Sequence, residues 1–187
     1  MDLALETRTG LPDALRVLLD EVPRDAWESH PNFGGMVQFW LERHLMFRQL
    51  LAQLTTDSEA LIDGRAGIDS YAPRLSRFGG FFLNQLHGHH QIEDVHYFPH
   101  LMSIDRRIER GFGILDADHH ALHGHLDAFA HGANAVLSRQ NDAAAAREAV
   151  SDFHTLLGRF HLMLERHLTD EEDLVVPVIL KSGFDHG

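Results

Sequence analysis

The sequence predicts an all-α protein, an antiparallel up-down-up-down four-helix bundle with a short helical extension at its N-terminus. Three observations predict it. Apolar residues recur at three- and four-residue spacing through four long stretches joined by short connections, and the alternating patterns of strands are missing. The second half of the chain also repeats the plan of the first, so the chain reads as two similar helical hairpins.

Each element follows from local chemistry. Residues 1–33 form an extension in which Leu11 to Asp20 read as a short helix with Pro12 in its first turn, closing near Pro23. After the turn residues His30, Pro31, Asn32, Gly34 and Gly35, the first long helix spans Met36 to Leu54, with Val37, Trp40, Phe47 and Leu51 on one face and His44 in its middle. Thr55 to Tyr71, polar and glycine-containing, reads as a connection with a turn or two of helix around Ser58 to Ile62. The second helix begins near Pro73 and carries Phe78, Phe82, Leu86, His89 and Ile92 toward Ser103, with Pro99 expected to kink or end it. The third spans about Asp105 to Leu137 with His119 and His123 on its apolar face. The fourth starts after the capping pair Asn141-Asp142 and reaches about Leu180, although Thr169-x-x-Glu172 is a capping pattern that allows a break. The bundle proper is thus expected over 34–181, with 182–187 as a tail.

Composition narrows the function classes. At 187 residues with 44% hydrophobic content, the chain suits one globular domain. It has no cysteine, which excludes disulfides, thiolate metal sites and cysteine catalysis, so any metal must be held by nitrogen and oxygen. A formal charge of −12 without basic clusters argues against nucleic acid and anionic membranes as partners. Neither an export signal at Met1-Asp2-Leu3-Ala4 nor a membrane-spanning stretch is evident, so a cytoplasmic location is expected. The unusual feature is histidine, 16 residues spread through the chain.

Two of these histidines begin a repeated motif. His89 and Glu93 stand four apart on the second helix, and His167 and Glu171 repeat the spacing on the fourth. An acidic residue follows each glutamate (Asp94, Glu172), and a proline stands ten residues after each histidine (Pro99, Pro177). Residues i and i+4 share a helix face, so each pair presents an imidazole and a carboxylate to one point. A single such pair is most often a solvated or core-satisfied histidine. Here both pairs lie among apolar neighbours, Phe82 and Leu86 for one and Phe160 and Leu164 for the other. A carboxylate on an apolar face is costly unless it is neutralised, hydrogen-bonded or bound to a cation. The first and third helices match in the same way, His44 with His119 and Leu51 with Leu126, while Arg48 stands where the third helix has His123.

On these residues the chain resembles the hemerythrin-like proteins with the HHE cation-binding domain, over roughly Gly34 to Leu180. The carriers are His44, His89-x-x-x-Glu93-Asp94 with Tyr97-Phe98-Pro99, Asp118-His119-x-x-x-His123, and His167-x-x-x-Glu171-Glu172 with Val176-Pro177. The resemblance implies a non-haem di-iron centre in which Glu93 and Glu171 bridge two ions, with His44 and His89 on one and His119, His123 and His167 on the other. His96, three residues past Glu93 on the inward stripe, reads as a ligand or a proton donor beside the site. His87, His90, His100, His120 and His125 lie off that stripe or lack a repeat partner and read as surface or outlying positions.

Two roughly six-coordinate ions need about twelve bonds. Five imidazoles, two bridging carboxylates and a bridging oxo or hydroxo group leave about one position open, which suits a small diatomic. The histidine-rich set contrasts with the carboxylate-rich set of ferritin-like di-iron proteins. It therefore favours binding O₂ or a similar ligand, NO among them, for storage, delivery or sensing over oxidation of an organic substrate. No separate catalytic residue or organic cofactor site is expected. The rival readings are an enzyme acting on peroxide or nitric oxide, iron donation to damaged clusters, and a bundle holding zinc or manganese. Cluster repair lacks the cysteine-bearing N-terminal module that family repair proteins carry. Trp40, Leu41, Phe47, Phe82, Leu86, Leu115 and Leu122 are expected to line the core near the ligands.

Overall fold

The computed structural model describes residues 3–184, and these contain helices, turns and no strand. The helices are α1 (Val17–Glu21), α2 (Gly35–Ile62), α3 (Ile68–Arg74), α4 (Gly80–Ile92), α5 (Phe98–Ile104), α6 (Glu109–Ser138) and α7 (Ala143–Ser182). Short 3-10 turns at Asp13–Leu15, Arg24–Ala26 and Arg106–Ile108 precede or join them. Two π-helical turns, Leu75–Gly79 and Glu93–Tyr97, link α3 to α4 and α4 to α5 without leaving helical geometry. The last three residues of the sequence, including His186, lie outside the described residues.

Several boundaries differ from the expectation. Helix α2 continues to Ile62 because Leu54, Ser58 and Leu61 are buried on its face, the Ser58 hydroxyl bonding Leu54 O at 2.8 Å and Tyr71 Oη at 2.8 Å. The polar composition of that stretch reflects its outer face. The second long segment starts at Ile68, ahead of Pro73, and Pro99 sits in the first turn of α5, directly after the π turn at Glu93–Tyr97, instead of ending a helix. Helix α7 is unbroken through Thr169 and Pro177. Its start matches the expected cap, for Asp142 Oδ1 accepts the N–H groups of Ala144 at 3.0 Å and Ala145 at 3.1 Å.

By chain contacts the protein divides into two compact units. The first comprises the chain up to Leu45, His90–Ala121 and the part from Leu164 onward. Its core is one apolar cluster in which Leu11, Leu15, Leu18 and Trp27 of the N-terminal segment pack with residues such as Trp40, Phe112 and Val175. That segment is therefore held by burial, and polar contacts add to it: Asn32 Nδ2 donates to Leu180 O at 2.7 Å, and Arg107 pairs with Glu21 at 2.9 Å. Helix α6 comes so close to α7 that a Cβ at Gly111 would lie 2.7 Å from Leu174 Cδ1.

The second unit comprises Met46–His89 and Leu122–Met163. Its core is aromatic. Phe82 packs against Phe129 at 5.5 Å, Phe160 at 5.7 Å and Phe47 at 6.3 Å between ring centroids, and all four rings are fully or nearly fully buried. Burying each such ring is worth about 1.5–3 kcal/mol.

Leu18 is 2% exposed. Leu18→Ala is expected to lower the unfolding free energy by about 2–5 kcal/mol, seen as a lower urea midpoint. An unmoved midpoint would mean that the N-terminal segment is not part of the cooperative fold.

Candidate metal centre

Apolar packing in the first unit leaves a set of polar groups sealed inside it. His44 comes from α2, His90 from the end of α4, Glu93 from the π turn that follows, His119 from α6, and His167 and Glu171 from α7; each is fully buried. Among the described residues two groups gather with ligand atoms within 4.8 Å of one another. One is His90, His119 and His167, and the other is His44, His89, Glu93 and Glu171. His89, 9% exposed, precedes His90 on the same helix turn.

Three imidazoles are oriented alike. His44 Nδ1 donates to Glu172 Oε1 at 3.0 Å, His119 Nδ1 to Asp94 Oδ1 at 2.7 Å and His167 Nδ1 to Asp118 Oδ2 at 3.2 Å. An ionised carboxylate only accepts, so Nδ1 carries the proton and Nε2 is turned inward, the arrangement that fixes metal-binding imidazoles. The acidic neighbours noted in the sequence thus have a defined task, Asp94 holding a histidine of α6 and Glu172 a histidine of α2.

The inward atoms meet each other. Glu171 reaches both groups, Oε1 lying 3.3 Å from His44 Nε2 and Oε2 3.3 Å from His167 Nε2. Glu93 Oε2 lies 3.5 Å from His119 Nε2 while belonging to the group of His44 and His89. His119 Nε2, His167 Nε2 and Glu171 Oε2 are buried and make no hydrogen bond within the protein. Buried polar atoms are ordinarily satisfied, so such a cluster on one point fits a cation held by nitrogen and oxygen. His90 stacks on His119 at 4.1 Å and packs edge-on against His167 at 5.3 Å. Trp40 Nε1 donates to Glu171 Oε1.

Protonation follows the same geometry. Burial alone would lower the pKa of His44 and His167, but Glu171 with Glu172 outweighs it for the first, and Asp118 with Glu171 raises the second to about 9. Burial would raise Glu171, yet His44 and His167 hold it well below the ordinary range. Glu93 is pushed well above that range by burial and by Glu171 beside it. His119 is lowered, chiefly by burial. In the metal-free protein, a proton on His167, whose pKa stands at about 9, supplies positive charge facing Asp118 and Glu171.

The expected ligands are thus placed unevenly. His44, His89, Glu93, His119, His167 and Glu171 fall into the two groups. His123 does not; it is exposed, with its ring 5.5 Å from that of His87. His90, read from sequence as an outlying position, is fully buried in the first group. A sequence signal for both existed in the internal repeat. The position of His90 corresponds to Leu168, an apolar residue that is 0% exposed, whereas that of His123 corresponds to the charged Arg48. His96 is exposed on the π turn. Of the residues expected around the ligands, Trp40, Phe47, Phe82, Leu86, Leu115 and Leu122 are buried, and Leu41 partly so.

His167 fixes a pH dependence. Its folded pKa of about 9 lies above the ordinary 6.5, so the stability it gives the metal-free protein is complete below 6.5 and is lost as pH rises through 9. A metal ion must expel that proton. Affinity for Zn²⁺ or Co²⁺ is therefore expected to climb from neutral pH to about 9, with proton release detectable by an indicator dye. A flat profile with no released proton would contradict the protonation scheme.

The profile of the hemerythrin HHE cation binding domain matches residues 35–179. No curated protein and no solved structure matches the chain significantly. Among the described residues no helix is long and apolar enough to cross a membrane. The match covers the greater part of the chain, including every residue of both clusters, and the chain belongs to the hemerythrin HHE cation-binding domain family.

Proposed function

We propose that this protein is a cytoplasmic non-haem di-iron protein that binds O₂ or another small ligand for storage, delivery or sensing. In this reading the long helical segments form the antiparallel four-helix bundle of residues 34–181, with 1–33 as an added segment. His44 and His89 hold one ion, His90, His119 and His167 hold the other, and Glu93 and Glu171 are shared. The observation that carries it is Glu171, whose two oxygens each lie 3.3 Å from a histidine of a different group. His90 takes the role that the family resemblance gave to His123, because His90 is the buried imidazole beside His119 and His167.

When bound, a pair of irons with an oxo or hydroxo bridge supplies reversible redox chemistry toward a diatomic ligand at an open position. The chain's own residues do the rest. Asp94, Asp118 and Glu172 keep the imidazoles turned inward, Glu93 and Glu171 neutralise the ions, and the packed rings of Trp40 and Phe98 exclude water. The reading of a carrier or sensor over a peroxide-consuming enzyme is supported by His96, which is exposed and so is not a proton donor inside the cluster.

The test is metal analysis of protein made in iron-sufficient medium together with an ultraviolet–visible spectrum under argon and in air. Two irons per chain and a charge-transfer band that appears with O₂ and disappears without it are expected; zinc, or fewer than two metal ions, would refute the proposal. The ligand assignment is checked separately. His90→Ala is expected to reduce iron to about one per chain, as loss of one of few protein ligands does in metal sites, whereas His123→Ala leaves both ions in place. The opposite pattern would restore His123 to the site.

A further inference from the structure

The matched family domain begins at residue 35, and the segment before it is anchored by Leu11, Leu15, Leu18 and Trp27. Apolar anchoring needs no charge, yet the segment also sends two arginines toward the centre. Arg8 is 7% exposed; its guanidinium donates to Asp118 Oδ1 at 2.6 Å, to Asp118 Oδ2, and to Asp170 Oδ2 at 2.7 Å. Arg24 donates to Glu172 Oε2 at 2.9 Å and to Asp173 Oδ1 at 2.7 Å. Buried ion pairs seldom stabilise a fold more than apolar residues of the same volume, so stability alone gives little reason for Arg8.

Their targets are specific. Asp118 is the carboxylate that orients His167, and the other oxygen of Glu172 orients His44. Those two histidines belong to different groups of the cluster. Two chains of the same form result, Arg8–Asp118–His167 and Arg24–Glu172–His44, one behind each group. The Arg8 guanidinium, bidentate on Asp118, locks that carboxylate plane and through it the imidazole, whereas Arg24 holds Glu172 by a single bond to Oε2; each guanidinium charge withdraws electron density from its carboxylate. Burial would raise the Asp118 carboxyl, but the bonds from Arg8 and His167 outweigh it and keep it ionised, so that it accepts only.

We propose that the N-terminal segment is a working part of the metal centre, with Arg8 and Arg24 as positioning residues that fix Asp118 and Glu172 so that His167 and His44 each present Nε2 to a different metal ion. The inference rests on the di-metal reading above. Its consequence is that metal affinity is divided between two contacts lying outside the family domain, one for each ion.

The test is an anaerobic Co²⁺ titration of the metal-free full chain, followed by its visible absorption. The bands lost in His44→Ala mark one ion and those lost in His90→Ala the other. Arg24→Gln is expected to weaken the His44 ion about 10–100-fold, the usual scale for losing a group that orients a ligand, and to spare the other; Arg8→Gln does the reverse. Arg24→Lys, which keeps the charge, recovers part of the loss. Arg107→Gln breaks the exposed contact of the same segment with Glu21 and should leave both affinities unchanged. Arg24 is 43% exposed in its side chain, so its variants report even if Arg8→Gln does not fold. Two ions bound at wild-type affinity in Arg24→Gln, or equal weakening of both ions in Arg24→Gln and Arg107→Gln, would overturn this inference alone. A wild-type chain that binds fewer than two Co²⁺ ions would overturn the di-metal reading and this inference with it.

Discussion

The constraint on which the structure depends is the burial of two carboxylates, Glu93 and Glu171, in a helical core. An isolated buried carboxylate is so costly that it either protonates or is matched by a cation. Both tendencies are present here: burial and Glu171 push the Glu93 carboxyl well above the ordinary range, while His44 and His167 hold Glu171 well below it. A cluster that recruits protons in this way is built for positive charge. A metal cation satisfies the same demand with shorter bonds and fixed directions, in keeping with the cation-binding family to which the chain belongs.

Holding imidazoles rigidly around such charge needs outer partners, and the fold provides them crosswise. Asp94, beside Glu93, supports His119 on α6; Glu172, beside Glu171, supports His44 on α2. Each glutamate motif thus contributes a carboxylate to the cluster and, one residue on, a support for a histidine of another helix. The third support, Asp118, belongs to no such motif and carries a larger burden, for it shares one carboxylate between His167 and Arg8. The arrangement therefore departs from the two-fold plan of the sequence where the N-terminal segment meets it.

The helices and most of the cluster were legible in the sequence because periodicity and the HxxxE repeat report burial directly. Where the structure places residues differently from the sequence expectation, the causes are specific. An apolar stripe is wide enough to include two adjacent residues, so His89 and His90 both turn inward, although a stripe narrowed to one of them excludes the other. His123 lay at helical spacing from His119, but its repeat partner Arg48 marked an outward position. Nothing local identified Arg8, since an arginine in a leucine-rich segment has no signature until Asp118 and Asp170, more than a hundred residues away, are placed beside it. Residues 55–71 read as a connection with a turn or two of helix around Ser58 to Ile62, whereas α2 runs unbroken to Ile62, because the outer face of that stretch is polar while Leu54, Ser58 and Leu61 are buried.

The π turn at Glu93–Tyr97 has the largest effect on the chemistry. An α-helix would carry the inward stripe from Glu93 to position 96 and make an imidazole the neighbour of the carboxylates. The wider turn adds a residue, and the inward positions become Tyr97 and Phe98 while His96 is left exposed. Tyr97 packs against Trp40 at 5.1 Å, and Trp40 donates its indole N–H to Glu171. Phe98 stacks on His119 at 5.4 Å. With His96 turned away, the Trp40 indole N–H holds Glu171, and the rings of Tyr97 and Phe98 pack against Trp40 and His119.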